Sequence, residues 1–90
     1  MIKVLVLKND SKVLVSEIRE VGAEIGEPNC ELTNPVEFKF DKEDWKDRLQ
    51  RWPGRLVTQD KKCMMTSDDI LTIVDPDPEL LKAYEDLISE

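Results

Sequence analysis

The chain opens on a short, nearly continuous apolar run, Ile2–Leu7 (IKVLVL), and a β-branched run of this length predicts a strand. Residues 8–12 (KNDSK) then predict a turn, because Asn and Asp tolerate left-handed backbone and bond to their own turns. Residues 12–26 (KVLVSEIREVGAEIG) are long for a strand and change phase: Leu14 and Ile18 fall on one face, Val21, Ala23 and Ile25 on the other. A period of two cannot do this without a bend, and Gly22 sits beside the switch, so one strongly bent strand is expected. After a second turn at residues 27–29 (EPN), Cys30, Leu32, Val36, Phe38 and Phe40 alternate with Glu31, Thr33, Glu37 and Lys39, the pattern of a half-buried strand. Asn34-Pro35 interrupts it. Proline has no amide to give, so a bulge or an unpaired edge position is expected there.

Residues 41–54 (DKEDWKDRLQRWPG) are dense in charge, and Trp45, Leu49 and Trp52 have helical spacing, so the segment reads as an insertion holding a helical turn or an irregular excursion. Two further apolar runs, ending at Met65 and spanning Ile70–Val74, predict a hairpin around residues 66–69. Asp77 then caps a helix over about residues 78–89. Pro78 takes its first position and Glu79 complements the dipole, while Leu80, Leu81, Tyr84, Leu87 and Ile88 form one stripe. Five strands and a terminal helix in one domain over residues 1–90 predict a mainly β fold, a small, strongly bent open barrel with a C-terminal α-helix.

Charge narrows the chemistry. The net charge of −7 opposes broad attraction to nucleic acid or to an acidic membrane. It is unevenly spread: residues 41–62 carry seven basic and five acidic groups, whereas residues 63–90 carry one basic and eight acidic. No apolar run reaches the roughly 18–20 residues of a membrane helix, and the first residues lack a signal-peptide pattern, so no membrane partner and a cytoplasmic address are expected. Two cysteines outside any CxxC and no histidine predict no metal and no cofactor, with Cys30 and Cys63 as buried small apolar residues rather than a disulfide. With no phosphate-cradling glycine loop and no nucleophile elbow either, an enzyme is not expected and no catalytic residue is assigned.

The order of elements, with "VGAEIGEPNCELTNP" and "SDDILTIVDP" followed by ELL and YEDLI, resembles the Sm-like (LSm) family, and most closely the short Sm-like proteins of marine cyanophages and ocean metagenomes. The resemblance spans nearly the whole chain. It implies a homo-oligomeric ring of about five to seven subunits, a pentamer among them, set by a small rotation between neighbours. In such rings the fourth strand of one subunit pairs with the fifth of the next, which makes Met64, Met65, Leu71 and Ile73 subunit-interface residues. It also implies single-stranded RNA as a partner and a viral protein working in the host cytoplasm. Asn29 falls where the family places an RNA-binding Asn; Thr66 and Ser67 stand where Arg-Gly is usual, followed by Asp68 and Asp69. Asn29, Thr66, Ser67 and Asp69 are therefore the first candidate contacts. Turn chemistry alone also accounts for these residue types.

A second candidate lies in the insertion, where Lys46, Arg48, Arg51 and Arg55 interleave with Trp45 and Trp52, since indoles stack on bases and cations follow the phosphates. The competing reading makes the tryptophans packing groups of a charged loop. Two functions follow: a ring that binds single-stranded RNA or serves as an RNA-associated scaffold, or a ring repurposed as a protein-interaction or structural module that meets a basic partner through its acidic C-terminal third.

Overall fold

The computed structural model describes every residue except Asp10, Arg55 and Glu90. Its elements are β1 (Ile2–Leu7), β2 (Val13–Glu20), β3 (Cys30–Phe38), α1 (Trp45–Arg48), β4 (Leu49–Arg51), β5 (Lys62–Met65), a 3-10 turn (Ser67–Asp69), β6 (Ile70–Val74) and α2 (Pro78–Ile88). Six antiparallel strands form one sheet in the order β4-β3-β2-β1-β6, and β5 also pairs with β3. The outer edge of β3 is thus shared: Cys30 to Thr33 pair with Met65 to Lys62, and Val36 to Phe38 pair with Arg51 to Leu49.

Between those two halves lies the Asn34-Pro35 interruption, which is a bulge. Val15 pairs with Val36 but Glu17 with Thr33, so β3 spends one more residue than β2 across that interval. Asn34 sits at φ 53°, in the left-handed region that asparagine tolerates better than most residues. The extra residue inverts the facing of the strand. Leu32 and Val36 share sequence parity, yet Leu32 packs with Leu5, Leu7, Leu14, Cys30 and Met65, whereas Val36 packs with Val4, Val15, Leu49 and Tyr84. The single face expected for Cys30, Leu32, Val36 and Phe38 is therefore divided between two cores, one on each side of the sheet.

Helix α2 covers the second core. Asp77 accepts from the Glu79 amide at 3.0 Å and Pro78 fills the first turn, as the sequence predicts. The packed stripe is Leu80, Ala83, Tyr84, Leu87 and Ile88; Leu81, expected in it, is half-buried and Ala83 takes the contact instead. Tyr84 is fully buried, and its hydroxyl donates to the Asn34 carbonyl at 2.9 Å, with the Thr33 carbonyl at 3.3 Å. Ser16, also fully buried, donates to the same Thr33 carbonyl at 3.0 Å. The bulge is held from the helix side and from β2.

The first core draws on both ends of the strand order, since Met65 of β5 and Ile70 of β6 pack into it together. The sheet curls around that cluster. Three expectations are corrected here. The long second strand ends at Glu20; residues 21–29 form a loop with Ile25 fully exposed, because beyond Glu20 nothing packs over them. The hairpin around residues 66–69 does not form: β5 pairs with β3 and β6 with β1, on opposite edges of the sheet. The insertion contributes an unforeseen strand, β4, so the strands number six rather than five among the described residues.

Candidate functional site

Strands β5 and β6 lead into and out of the 3-10 turn, and residue 29 ends the loop that enters β3 beside β5. Thr66 precedes the turn without capping it through its own side chain. Asn29 supplies the cap from another part of the chain: its Oδ1 accepts from the Ser67 amide at 2.8 Å and its Nδ2 donates to Ser67 Oγ at 3.1 Å. The Asn29 amide donates to the Met65 carbonyl at 3.2 Å, and the Lys8 amide donates to the Asp69 carbonyl at 2.9 Å. Asn29, Thr66, Ser67 and Asp69, separated by up to forty positions, thus form one knuckle at the end of the sheet, with Asp68 and Asp69 exposed on it. Its carboxamide is engaged on both atoms within the knuckle.

The insertion residues are divided. Asp44 caps α1 by accepting from the Lys46 amide at 3.2 Å. The Trp45 indole donates to Glu79 of α2 at 3.0 Å and meets Phe38 edge-on at 6.1 Å between centroids. Arg48 lies 5.0 Å above the Trp45 ring, while its Nε donates to the Lys42 carbonyl at 2.8 Å. Trp45 and Arg48 therefore fasten the insertion to α2. Trp52 packs against the first core, and its amide donates to the Pro35 carbonyl at 3.0 Å. Trp52 lies against the first core while Trp45 contacts Phe38 and α2, so the two tryptophans form no common stacking row. Lys46 is exposed, and Arg55 lies outside the described residues.

Arg51 and Trp52 instead border a cleft of about 410 Å³ whose other walls among the described residues are Asn34, Pro35, Pro53, Gly54 and Thr58 to Lys61. Sequence reasoning did not assign Asn34, Gln59 or Lys61 to a site. The available signal was the bulge at Asn34-Pro35 facing a polar stretch with no strand or helix period. The cleft backbone is internally bonded: the Asn34 amide donates to the Lys61 carbonyl, the Thr58 amide to the Gly54 carbonyl at 3.0 Å, and the Asp60 amide to Thr58 Oγ1 at 3.0 Å.

The interface candidates lie on strand edges. Met64, Leu71, Ile73 and Val74 are exposed by 48%, 63%, 45% and 48%, whereas the Met65 side chain is buried in the first core. Cys30 and Cys63 are free thiols on the side of the first core. Burial pushes both thiols above their ordinary range, and Glu20 adds to the effect at Cys30. Among the described residues no cluster of three or more His, Cys, Asp or Glu is placed to hold a metal ion. Among the described residues no helix is long and apolar enough to cross a membrane.

One protein-family model matches residues 1–89, that of a family of unknown function, DUF6561. No curated protein matches the chain.

Proposed function

This chain belongs to the DUF6561 family; we propose that it is a ring-forming, Sm-like protein that serves as a scaffold for single-stranded RNA. The observation that carries the reading is the pair of open strand edges on either side of the 3-10 turn. Strand β5 pairs only with β3 and β6 only with β1 among the described residues, and Met64, Leu71, Ile73 and Val74 stand exposed on them. An open apolar edge is a template for another strand. Two different edges on one chain make a head-to-tail contact, and such contacts close into a ring when the rotation per subunit allows it. In this reading the sheet curls into an open barrel, β5 of one copy pairs with β6 of the next, and the Asn29–Ser67 knuckles gather around the centre. RNA is met there by the remaining hydrogen-bonding capacity of Asn29, Thr66 and Ser67.

A second reading rests on the knuckle's charge. Asp68 and Asp69 are exposed where phosphate would pass, and they favour a ring that holds a basic protein in place of RNA.

Native mass spectrometry of the protein, alone and with a short uridine-rich single-stranded RNA, tests the proposal. A ring that takes up RNA at low salt, and loses most of it in Asn29→Ala, supports the first reading. A ring that ignores RNA leaves the second, and a monomer overturns both.

A further inference from the structure

In the knuckle Asn29 and Ser67 bond to each other, and in the insertion Trp45 and Arg48 bond to Glu79 and Lys42. The cleft beside the bulge is different. Among the described residues, the guanidinium of Arg51, the ammonium of Lys61, the carboxamides of Asn34 and Gln59 and the indole N–H of Trp52 make no side-chain hydrogen bond or ion pair. All five border the same cleft of about 410 Å³, within the range of small-ligand sites. On the bulge side the frame is fixed by hydrogen bonds: Trp52 is anchored to Pro35 by its amide, Asn34 to Lys61, and the bulge itself is held by Ser16 and Tyr84. A rigid frame with unspent donors loses little entropy when a ligand arrives.

The chemistry of the walls selects the ligand. Among the described residues, two cations against the single carboxylate of Asp60 favour an anion, in a chain whose net charge is −7. Arg51 offers a planar fork matched to phosphate oxygens and Lys61 a point charge. Trp52 with Pro53 offers a flat apolar wall for a planar ring. The carboxamides of Asn34 and Gln59 each pair a donor with an acceptor, as the edge of a nucleobase requires. We propose that this cleft binds a single nucleotide unit, with the base against Trp52, its edge on Asn34 and Gln59, and its phosphate on Arg51 and Lys61. The unit is a free mononucleotide or one residue of a strand. The proposal does not depend on the Asn29 knuckle.

The test uses the full chain carrying Trp45→Phe, which leaves Trp52 as the one indole reporter. Titration with adenosine and uridine monophosphates is expected to change its fluorescence saturably, with a dissociation constant of about 10 µM to 1 mM. The matching nucleosides and inorganic phosphate should each bind at least about tenfold more weakly, because each supplies only part of the contact. Arg51→Gln, or Lys61→Gln where the first variant misfolds, should weaken nucleotide binding about tenfold. An oligoribonucleotide that binds tighter than the monophosphates identifies a strand as the source; equal binding identifies the free nucleotide. No saturable response to any nucleotide, phosphate alone binding as well as the nucleotide, or unchanged affinity in Arg51→Gln overturns the proposal. Asn29→Ala should leave monophosphate binding intact, and Arg51→Gln should leave the assembly intact, so this proposal and the ring reading fail separately.

Discussion

At the scale of single residues, Tyr84 has the most to do. It fills the second core with its ring and satisfies the Asn34 carbonyl with its hydroxyl. Tyr84→Phe keeps the ring and leaves that carbonyl without its donor, which should cost about 1 kcal/mol in urea unfolding at neutral pH. The same variant separates a pH effect. Burial raises the Tyr84 hydroxyl above its ordinary value of 10.0. Above that value the unfolded chain sheds a proton that the folded chain keeps, so the stability it contributes is complete below it and is lost as pH climbs further. The parent protein should therefore lose stability more steeply than Tyr84→Phe above pH 10.0. The thiols of Cys30, buried, and Cys63, half-buried, shift in the same direction in both proteins and cancel in the comparison. Equal slopes would remove the hydroxyl from the argument.

Among the elements, β3 decides how the molecule is divided, because its bulge hands Leu32 to one core and Val36 to the other. A β-branched residue at φ 53° is strained. Asn34→Val should accordingly destabilise by about 1–2 kcal/mol in urea unfolding, while Asn34→Gly stays near the parent. A neutral Asn34→Val would mean that the bulge relocates at little cost. This element also shows what a sequence makes legible. The run of β1 and the cap and stripe of α2 were readable because their signals are local: a β-branched run, Asp77-Pro78, and spacings of three and four. The interruption at Asn34-Pro35 was readable too, but its consequence was not, since even-numbered apolar residues continue across it and look like one face. The mistaken hairpin has the same origin. Two strands four residues apart pair with each other by default, and only the curl of the sheet around Leu5 and Leu14 sends β5 and β6 to opposite edges. In the candidate site, the knuckle was legible from turn residues at Asn29 and Thr66, and their bond to one another was not. The cleft was hidden more deeply, because Gln59 and Lys61 belong to no periodic pattern and meet Asn34 only through the pairing of β5 with β3.

For the whole molecule, the open edges make assembly the property to measure. Leu71→Lys combined with Ile73→Lys places two charges on an edge that the ring reading needs apolar, and both side chains are already solvent-exposed in the single chain. Size-exclusion chromatography with light scattering should show the mass falling to that of one 10.4 kDa chain, with the circular dichroism of the fold retained. An unchanged oligomer would move the subunit contact elsewhere.

The placement of α2 over the second core also bears on the birth of the chain. Val4, Val15 and Val36 emerge from the ribosome long before Leu80 and Tyr84, so a growing polypeptide carries a bare apolar sheet face until α2 is made. A message cut short just before Asp77 would yield a product that keeps all six strands but lacks α2, leaving an apolar face for chaperones and proteases. Translation of α2 thus decides whether that face is ever covered.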